Sequence, residues 1–349
     1  MRFPTSGTAA VIAYRLGGTD GVSIEAAKWI WALGELGFEL RTVAGEGRAD
    51  RLVPGLAIGA GPSDESELAE EVRGAVDGAD VVVVENVCSL PLNPGAGRSV
   101  AAALEARPAI LRHHDLPWQR TKLAHLGGPP TDAAWRHVCI NERSQRELGA
   151  RSIGATTFYN CFDPDPAPGD RDATRHALGV SDNETLVLQP TRAIPRKNVA
   201  GGIRIASALG ATYWLLGPAE DGYGPELDRI LAAAPVPVLR GPASPAATIE
   251  DAYSACDVVA LPSTFEGFGN PSIESALRLR PLAVGRYPVA TELRHLGFRW
   301  FDIDDLKALR HFLDAPEPRL LEHNRLVARQ AFSLTGLPER LSAWLAADL

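Results

Sequence analysis

Cysteine is scarce in this chain. Cys88, Cys139, Cys161 and Cys256 are scattered through 349 residues and no two form a CxxC pair. That spacing excludes the usual zinc and dithiol motifs, and a chain of this length can build its core without a disulfide framework. Long apolar runs are missing as well. None approaches the roughly 18 residues that cross a bilayer, and no basic-then-apolar leader opens the sequence, so the expectation is a cytoplasmic protein without an integral membrane segment. Positive charge is in deficit, with 35 Lys and Arg against 43 Asp and Glu and a net charge of −8. That balance argues against nucleic acid or anionic lipid as the main partner and leaves room for a local basic pocket. What is present is globular: 45% hydrophobic and 22% charged residues, in a length that suits two domains.

The first half reads as alternating strands and helices. Ala9 to Arg15 is an apolar run of strand length, followed by Gly17, Gly18, Thr19, Asp20 and Gly21. Val22, Ala26, Trp29, Leu33 and Leu36 then recur at helical spacing, which makes Trp29 core. Gly37 ends that helix, and Phe38 to Val43 is the next strand. This is the opening βαβ unit of a doubly wound domain. The glycine spacing is wrong for G-x-G-x-x-G, and Arg41-Thr42-Val43-Ala44-Gly45 puts no acid at the end of the second strand, so a nicotinamide dehydrogenase is disfavoured. Val81 to Val84 reads as a parallel strand covered on both faces, ending in Glu85-Asn86. Ala109 to Arg112 delivers His113-His114-Asp115, and short strands are expected at Val138 to Asn141 and Thr156 to Tyr159.

Residues 163–172 are rich in Pro, Asp and Gly without periodicity and read as a linker. A second βα series follows: strands near Leu186 to Pro190, Tyr213 to Leu216 (ending at Gly217), Val236 to Leu239 and Val258 to Leu261, with helices between them. Arg192 and Lys197 stand five apart in the first strand-to-helix loop of this series, placed to converge on one pyrophosphate. After the strand at Val258 comes Thr264-Phe265-Glu266-Gly267-Phe268-Gly269-Asn270-Pro271-Ser272-Ile273-Glu274. Pro271 suits a first helical turn, and the glycines bare the backbone beside a helix N-terminus, a junction that attracts anions. Each glutamate alone could be a dipole partner or a solvated loop residue; together they offer acceptors for sugar hydroxyls.

The Glu-(seven residues)-Glu spacing of Glu266 and Glu274, together with Arg192 and Lys197, resembles the signature of the retaining family 4 (group 1 type) glycosyltransferases. Their GT-B fold has two doubly wound Rossmann-like domains facing across a cleft. The resemblance implies an N-terminal acceptor-binding domain over 1–165, a nucleotide-sugar domain over 173–335, and a closing helix, 336–349, that crosses back. It implies that Glu266, Arg192, Lys197 and His114 serve catalysis. Glu274 would hold the ribose, and Gly267, Phe268, Gly269 and Asn270 the donor sugar; Gly217 and Arg240 join the donor side from their own places at strand ends, Arg240 placed to stack on the base. Gly17, Gly18, Asp20, Glu85 and Asn86 would line the acceptor side. Asn160-Cys161-Phe162-Asp163 is similar to the family's Asn-Gly-Val-Asp turn, with Cys161 in place of glycine.

The implied partners are a UDP-, GDP- or ADP-sugar and a small-molecule or glycan acceptor hydroxyl, with no cofactor and no metal. Asp302-Ile303-Asp304 spells the metal-binding Asp-x-Asp of other glycosyltransferases, but it precedes a helical pattern, so Asp304 or Asp305 reads as an N-cap. A nucleotide-sugar hydrolase or epimerase, and a non-catalytic nucleotide-sugar-binding protein, are the alternatives.

Overall fold

A computed structural model describes residues 3–347 apart from Thr19, Pro62, Thr121, Lys122 and Asp221. It divides into two compact units, Met1–Cys161 with Leu334–Leu349, and Phe162–Ser333.

The first unit is built on the strands β1 (Gly7–Leu16), β2 (Phe38–Gly47), β3 (Arg51–Leu52), β4 (Val81–Glu85), β5 (Ala109–His113), β6 (Trp135–Cys139) and β7 (Ala155–Thr157). They pair in parallel in the order β3-β2-β1-β4-β5-β6-β7. Helices α1 (Gly21–Glu35), α2 (Glu65–Ala75), α3 (Pro94–Ala103) and α4 (Glu142–Gly149) connect them. The unbroken valine run of β4 has a simple cause. Val82 and Val84 pack with Ile12, Val72 and Val100 on one face, while Val81 and Val83 pack with Val11, Trp29 and Leu33 on the other. A strand covered on both sides has no polar face to alternate with.

The second unit repeats the plan with β8 (Leu186–Gln189), β9 (Thr212–Leu215), β10 (Val238–Arg240), β11 (Val258–Leu261), β12 (Leu282–Val284) and β13 (Phe301–Asp302). Their order is β10-β9-β8-β11-β12-β13, again parallel. Its helices are α5 (Arg171–Leu178), α6 (Val199–Leu209), α7 (Gly224–Ala232), α8 (Ile249–Ala255), α9 (Asn270–Leu277), α10 (Pro288–His295), α11 (Leu306–Asp314) and α12 (Pro318–Phe332). The closing helix, α13 (Leu337–Ala346), belongs to the first unit. Arg136 holds its end, with Nη1 2.7 Å from Trp344 O and Nη2 2.6 Å from Ala347 O.

The apolar runs mark strands to within a few residues, but the expected linker does not stand free. Residues 163–172 fall in the second unit. Gly169 N donates to Ser254 Oγ at 3.0 Å and Asp170 N to Asp251 Oδ1 at 2.9 Å. Asp170 also caps α5 by accepting from Ala173 N at 2.9 Å. The Pro, Gly and Asp content therefore encodes a docked segment and a helix start. Among the described residues, no helix is long and apolar enough to cross a membrane.

Candidate functional site

Each sheet reverses its strand order once, between β1 and β4 in the first unit and between β8 and β11 in the second. Open α/β sheets bind ligands at such switch points, outside the carboxyl ends of the strands. Many of the sequence-predicted residues lie in loops beside these two places, and Arg240 on the outermost strand β10 does not.

In the second unit, the loops after β8 and β11 are tied together. Thr264 N donates to Arg196 O at 2.9 Å, and Asn198 Nδ2 donates to Pro262 O at 3.0 Å. Asn198 holds φ +51 and caps α6, accepting from Gly201 N at 3.1 Å. This clamp brings Lys197 to Glu266: Nζ lies 2.5 Å from Oε1, while Ser263 Oγ donates to the same oxygen at 2.6 Å. Arg196 Nη1 donates to Oε2 at 2.7 Å and to Phe265 O at 3.0 Å. Burial pushes the Glu266 carboxyl up, but the Lys197 and Arg196 cations and the donated hydrogen bonds outweigh it, so the group is held below its ordinary value. Lys197 moves down as well, chiefly because burial disfavours its charge, with Glu266 opposing.

Beyond Glu266, Gly269 takes φ +94 immediately before α9. A Cβ there would stand 2.6 Å from Tyr287 Oη, so glycine is required both by conformation and by space. Glu274 lies in the second turn of α9, where Oε2 accepts from Tyr253 Oη at 2.7 Å. Gly267 lies in the turn before Gly269, and Asn270 opens the helix. The Phe268 side chain turns inward, with ring centroids 5.7 Å from Phe332 and 6.1 Å from Phe162, so only its backbone is left for a ligand.

Three sequence-predicted residues do not join this cluster. Arg192 pairs with Glu220, Nη1 to Oε2 at 2.5 Å, and is 44% exposed. Gly217 packs against the β8 loop, where a Cβ would stand 2.5 Å from Thr191 O. Arg240 pairs with Asp228 at 3.1 Å on the outermost strand β10. Asp302 and Asp304 lie apart from the cluster, at 2.7 and 3.8 Å from Arg286 Nε. Asp305, not Asp304, occupies the N-cap position of α11, without a side-chain cap bond.

In the first unit, Gly17 has φ +71 and closes on Arg48, whose Cβ would stand 2.8 Å from an added Cβ. Gly18 is similarly close to Asp20 Oδ2, at 2.9 Å. Asp20 caps α1, accepting from Ser23 N at 3.1 Å and Ser23 Oγ at 2.7 Å. Thr19 of this glycine loop lies outside the described residues. Glu85 is wholly buried between Arg112 Nη1 (2.9 Å) and His114 Nε2 (2.7 Å). Asn86, at φ +64, accepts from His114 N at 3.2 Å and Asp115 N at 3.4 Å. Glu85 and Asn86 thus hold the β5 loop in place. Cys161 has no positive φ, so the turn that resembles Asn-Gly-Val-Asp does not need glycine here.

No known protein-family profile matches the chain. It is similar to the mannosylglucosylglycerate synthase of Thermotoga maritima, 25% identical over 423 aligned residues, covering 95% of this chain and 98% of the relative. The mannosylglucosylglycerate synthase of Petrotoga mobilis is 23% identical over 365 residues, 82% of this chain and 84% of its own. Among solved structures, Anabaena HepE in complex with UDP and glucose superposes with a TM-score of 0.71 at 18% identity, covering 97% and 99% of the two chains.

The fold is that of the GT-B glycosyltransferases.

Within this GT-B fold, sequence reasoning passed over Arg196, Ser263, Tyr253 and Arg112. Arg196 stood in plain view between Arg192 and Lys197, but only the path of the loop shows that it turns to Glu266. Tyr253 carries no local motif; it reaches Glu274 from α8. Arg112 is a lone charge inside an apolar strand, and only the register of β4 and β5 shows that it stands opposite Glu85.

Proposed function

We propose that the chain is a retaining, metal-independent glycosyltransferase that moves a hexosyl unit from a nucleoside-diphosphate sugar to an acceptor hydroxyl. The observation that carries this reading is the buried Lys197–Glu266 pair, joined by the half-buried Arg196, at the switch point of the second sheet, with Glu274 eight residues further along on α9. The named relatives and the UDP- and glucose-bound HepE structure support it.

In this reading Glu274 accepts from the ribose hydroxyls, and Glu266 accepts from the donor sugar. Lys197 and Arg192 face the diphosphate, Arg192 by leaving Glu220. The bond from the anomeric carbon to the diphosphate oxygen breaks while the acceptor oxygen bonds the same face of that carbon. The acceptor proton passes to the departing phosphate oxygen. Cations fixed before the charge develops stabilise the leaving diphosphate, the term that usually dominates such catalysis. A donor of this kind fits a cytoplasmic enzyme.

A thermal-shift panel of UDP-, GDP- and ADP-hexoses finds the donor. Mass spectrometry then follows products with an acceptor set that includes glucosylglycerate, which the relatives' name suggests. Free sugar or an altered nucleotide sugar without transfer would point to hydrolysis or epimerisation instead.

A further inference from the structure

Glu85 and Arg112 are register partners, the last residue of β4 opposite the fourth residue of β5. Their side chains are both at 0% exposure, and so deep an ion pair persists only with good geometry and further hydrogen bonds. Arg112 has them. Its Nη1 also donates to Glu25 O at 3.2 Å, its Nη2 lies 3.5 Å from Glu25 Oε2, and its guanidinium lies 4.5 Å from the Trp29 ring centre. Glu25 in turn pairs with Lys28 at 2.5 Å. The remaining oxygen of Glu85 takes His114 Nε2.

We infer that Glu85, braced by Arg112, is a positioning residue that holds His114 as the Nε2–H tautomer, presenting Nδ1 as a hydrogen-bond acceptor to a substrate hydroxyl. The substrate part of this inference rests on the transferase reading above. An ionised carboxylate only accepts, so the proton in the Glu85–His114 bond belongs to the imidazole. Burial alone would raise Glu85, but Arg112 and the His114 hydrogen bond outweigh it and keep the group ionised. With Nε2 protonated, a neutral ring carries its lone pair on Nδ1, and Nδ1 has no hydrogen-bond partner among the described residues. The main chain is fixed too, because Asn86 Oδ1 accepts from the amides of His114 and Asp115. Both ring plane and tautomer are therefore set before a ligand arrives. Such a nitrogen accepts from a sugar or acceptor hydroxyl and has nothing to donate to a phosphate.

The alternative is a merely structural pair, in which Glu85 neutralises Arg112 and the ring fills space. Glu85→Gln separates the two. The Gln carbonyl faces Arg112, so its amide faces His114 and donates, and the ring must carry its proton on Nδ1. Nitrogen-15 NMR of histidine-labelled protein reads the tautomer directly, with the His114 signals assigned by their loss in His114→Gln. The expected result at pH 7 is Nε2–H in the wild type, Nδ1–H in Glu85→Gln, and Nε2–H retained in Arg112→Lys. An Nδ1–H or doubly protonated ring in the wild type overturns the inference even if Glu85→Gln fails to fold. An unchanged tautomer in a folded Glu85→Gln does the same.

In turnover, Glu85→Gln and His114→Gln should each fall about 10²-fold, with the double variant no worse than either, and donor KM should change little. Normal turnover with an inverted tautomer removes the role in transfer. Finding no donor sinks the transferase reading and leaves the tautomer result to decide the positioning claim.

Discussion

Lys197 Nζ lies 2.5 Å from Glu266 Oε1, and the two side chains are only 10% and 5% exposed. Such a pair contributes little net stability, yet removing one partner strands the other, at about 3–5 kcal/mol. Here the two losses are unequal. Lys197→Met leaves Glu266 with Arg196 and Ser263, whereas Glu266→Gln leaves two cations facing each other. Urea denaturation should therefore show Glu266→Gln as the more destabilised, with the double variant less destabilised than the sum. The opposite order would mean that Arg196 does not carry the charge balance assigned to it.

The two glutamates should separate in function. Glu274→Ala is expected to weaken the free nucleoside diphosphate and the donor together, because ribose is its partner. Tyr253→Phe, which removes the donor to Glu274 Oε2, should weaken both more mildly. Glu266→Gln should spare nucleoside diphosphate affinity while lowering turnover. Calorimetry with the free diphosphate decides between them. Equal loss in both glutamate variants would show their roles to be misassigned.

How much of this was legible depended on whether the signal was local. The strands at Val81 and Val258 announced themselves by apolar runs that both faces of a sheet require. Glu266, Gly269 and Glu274 were legible because their spacing fixes a turn and a helix start. Strand β3 was not, since Arg51 and Leu52 are both exposed and are defined by pairing alone. Arg192 and Lys197 were equivalent in sequence and are not in space. Lys197 ends a 3₁₀ turn that buries it, while Arg192 precedes that turn and stays half in solvent with Glu220. Arg112 was missed because a charge inside a strand gives no clue to the partner across the ladder.

Acid sensitivity has a source in the first unit. His113 Nε2 and His137 Nδ1 lie 2.9 Å apart with the rings stacked. Burial pushes His137 from its ordinary 6.5 to about 4, and His113 well below that ordinary value. Below about pH 6.5 the unfolded chain binds protons that the folded one refuses, so stability falls with pH from there down to the folded value. For His137 alone the loss is roughly 2 kcal/mol between pH 7 and pH 5. In His137→Gln the slope of urea stability over that range should flatten by about that amount. Parallel wild-type and variant curves would show that burial does not hold His137 neutral.

Transfer is expected to need no divalent metal. As the sugar leaves, the two phosphates must be neutralised, either by a cation held on carboxylates or by the protein's own charges. The β8 loop carries Arg192, Arg196 and Lys197, and the α9 N-terminus adds its partial positive charge next to Glu266. Arg192, 44% exposed on Glu220, has a pairing that a diphosphate can replace at small cost, since exposed ion pairs are worth little. Asp302 and Asp304 instead face Arg286, whose cation competes with any metal for the same oxygens. Activity should therefore survive EDTA. Arg192→Ala or Lys197→Ala should cost about 10²-fold or more in turnover, the scale of a lost transition-state donor. Loss of activity with chelator, restored by Mg²⁺ or Mn²⁺, would return the diphosphate to a metal and make Asp302 and Asp304 its first candidates. Retention of activity with EDTA, together with the arginine and lysine losses, would leave the β8 loop as the charge that the leaving group meets.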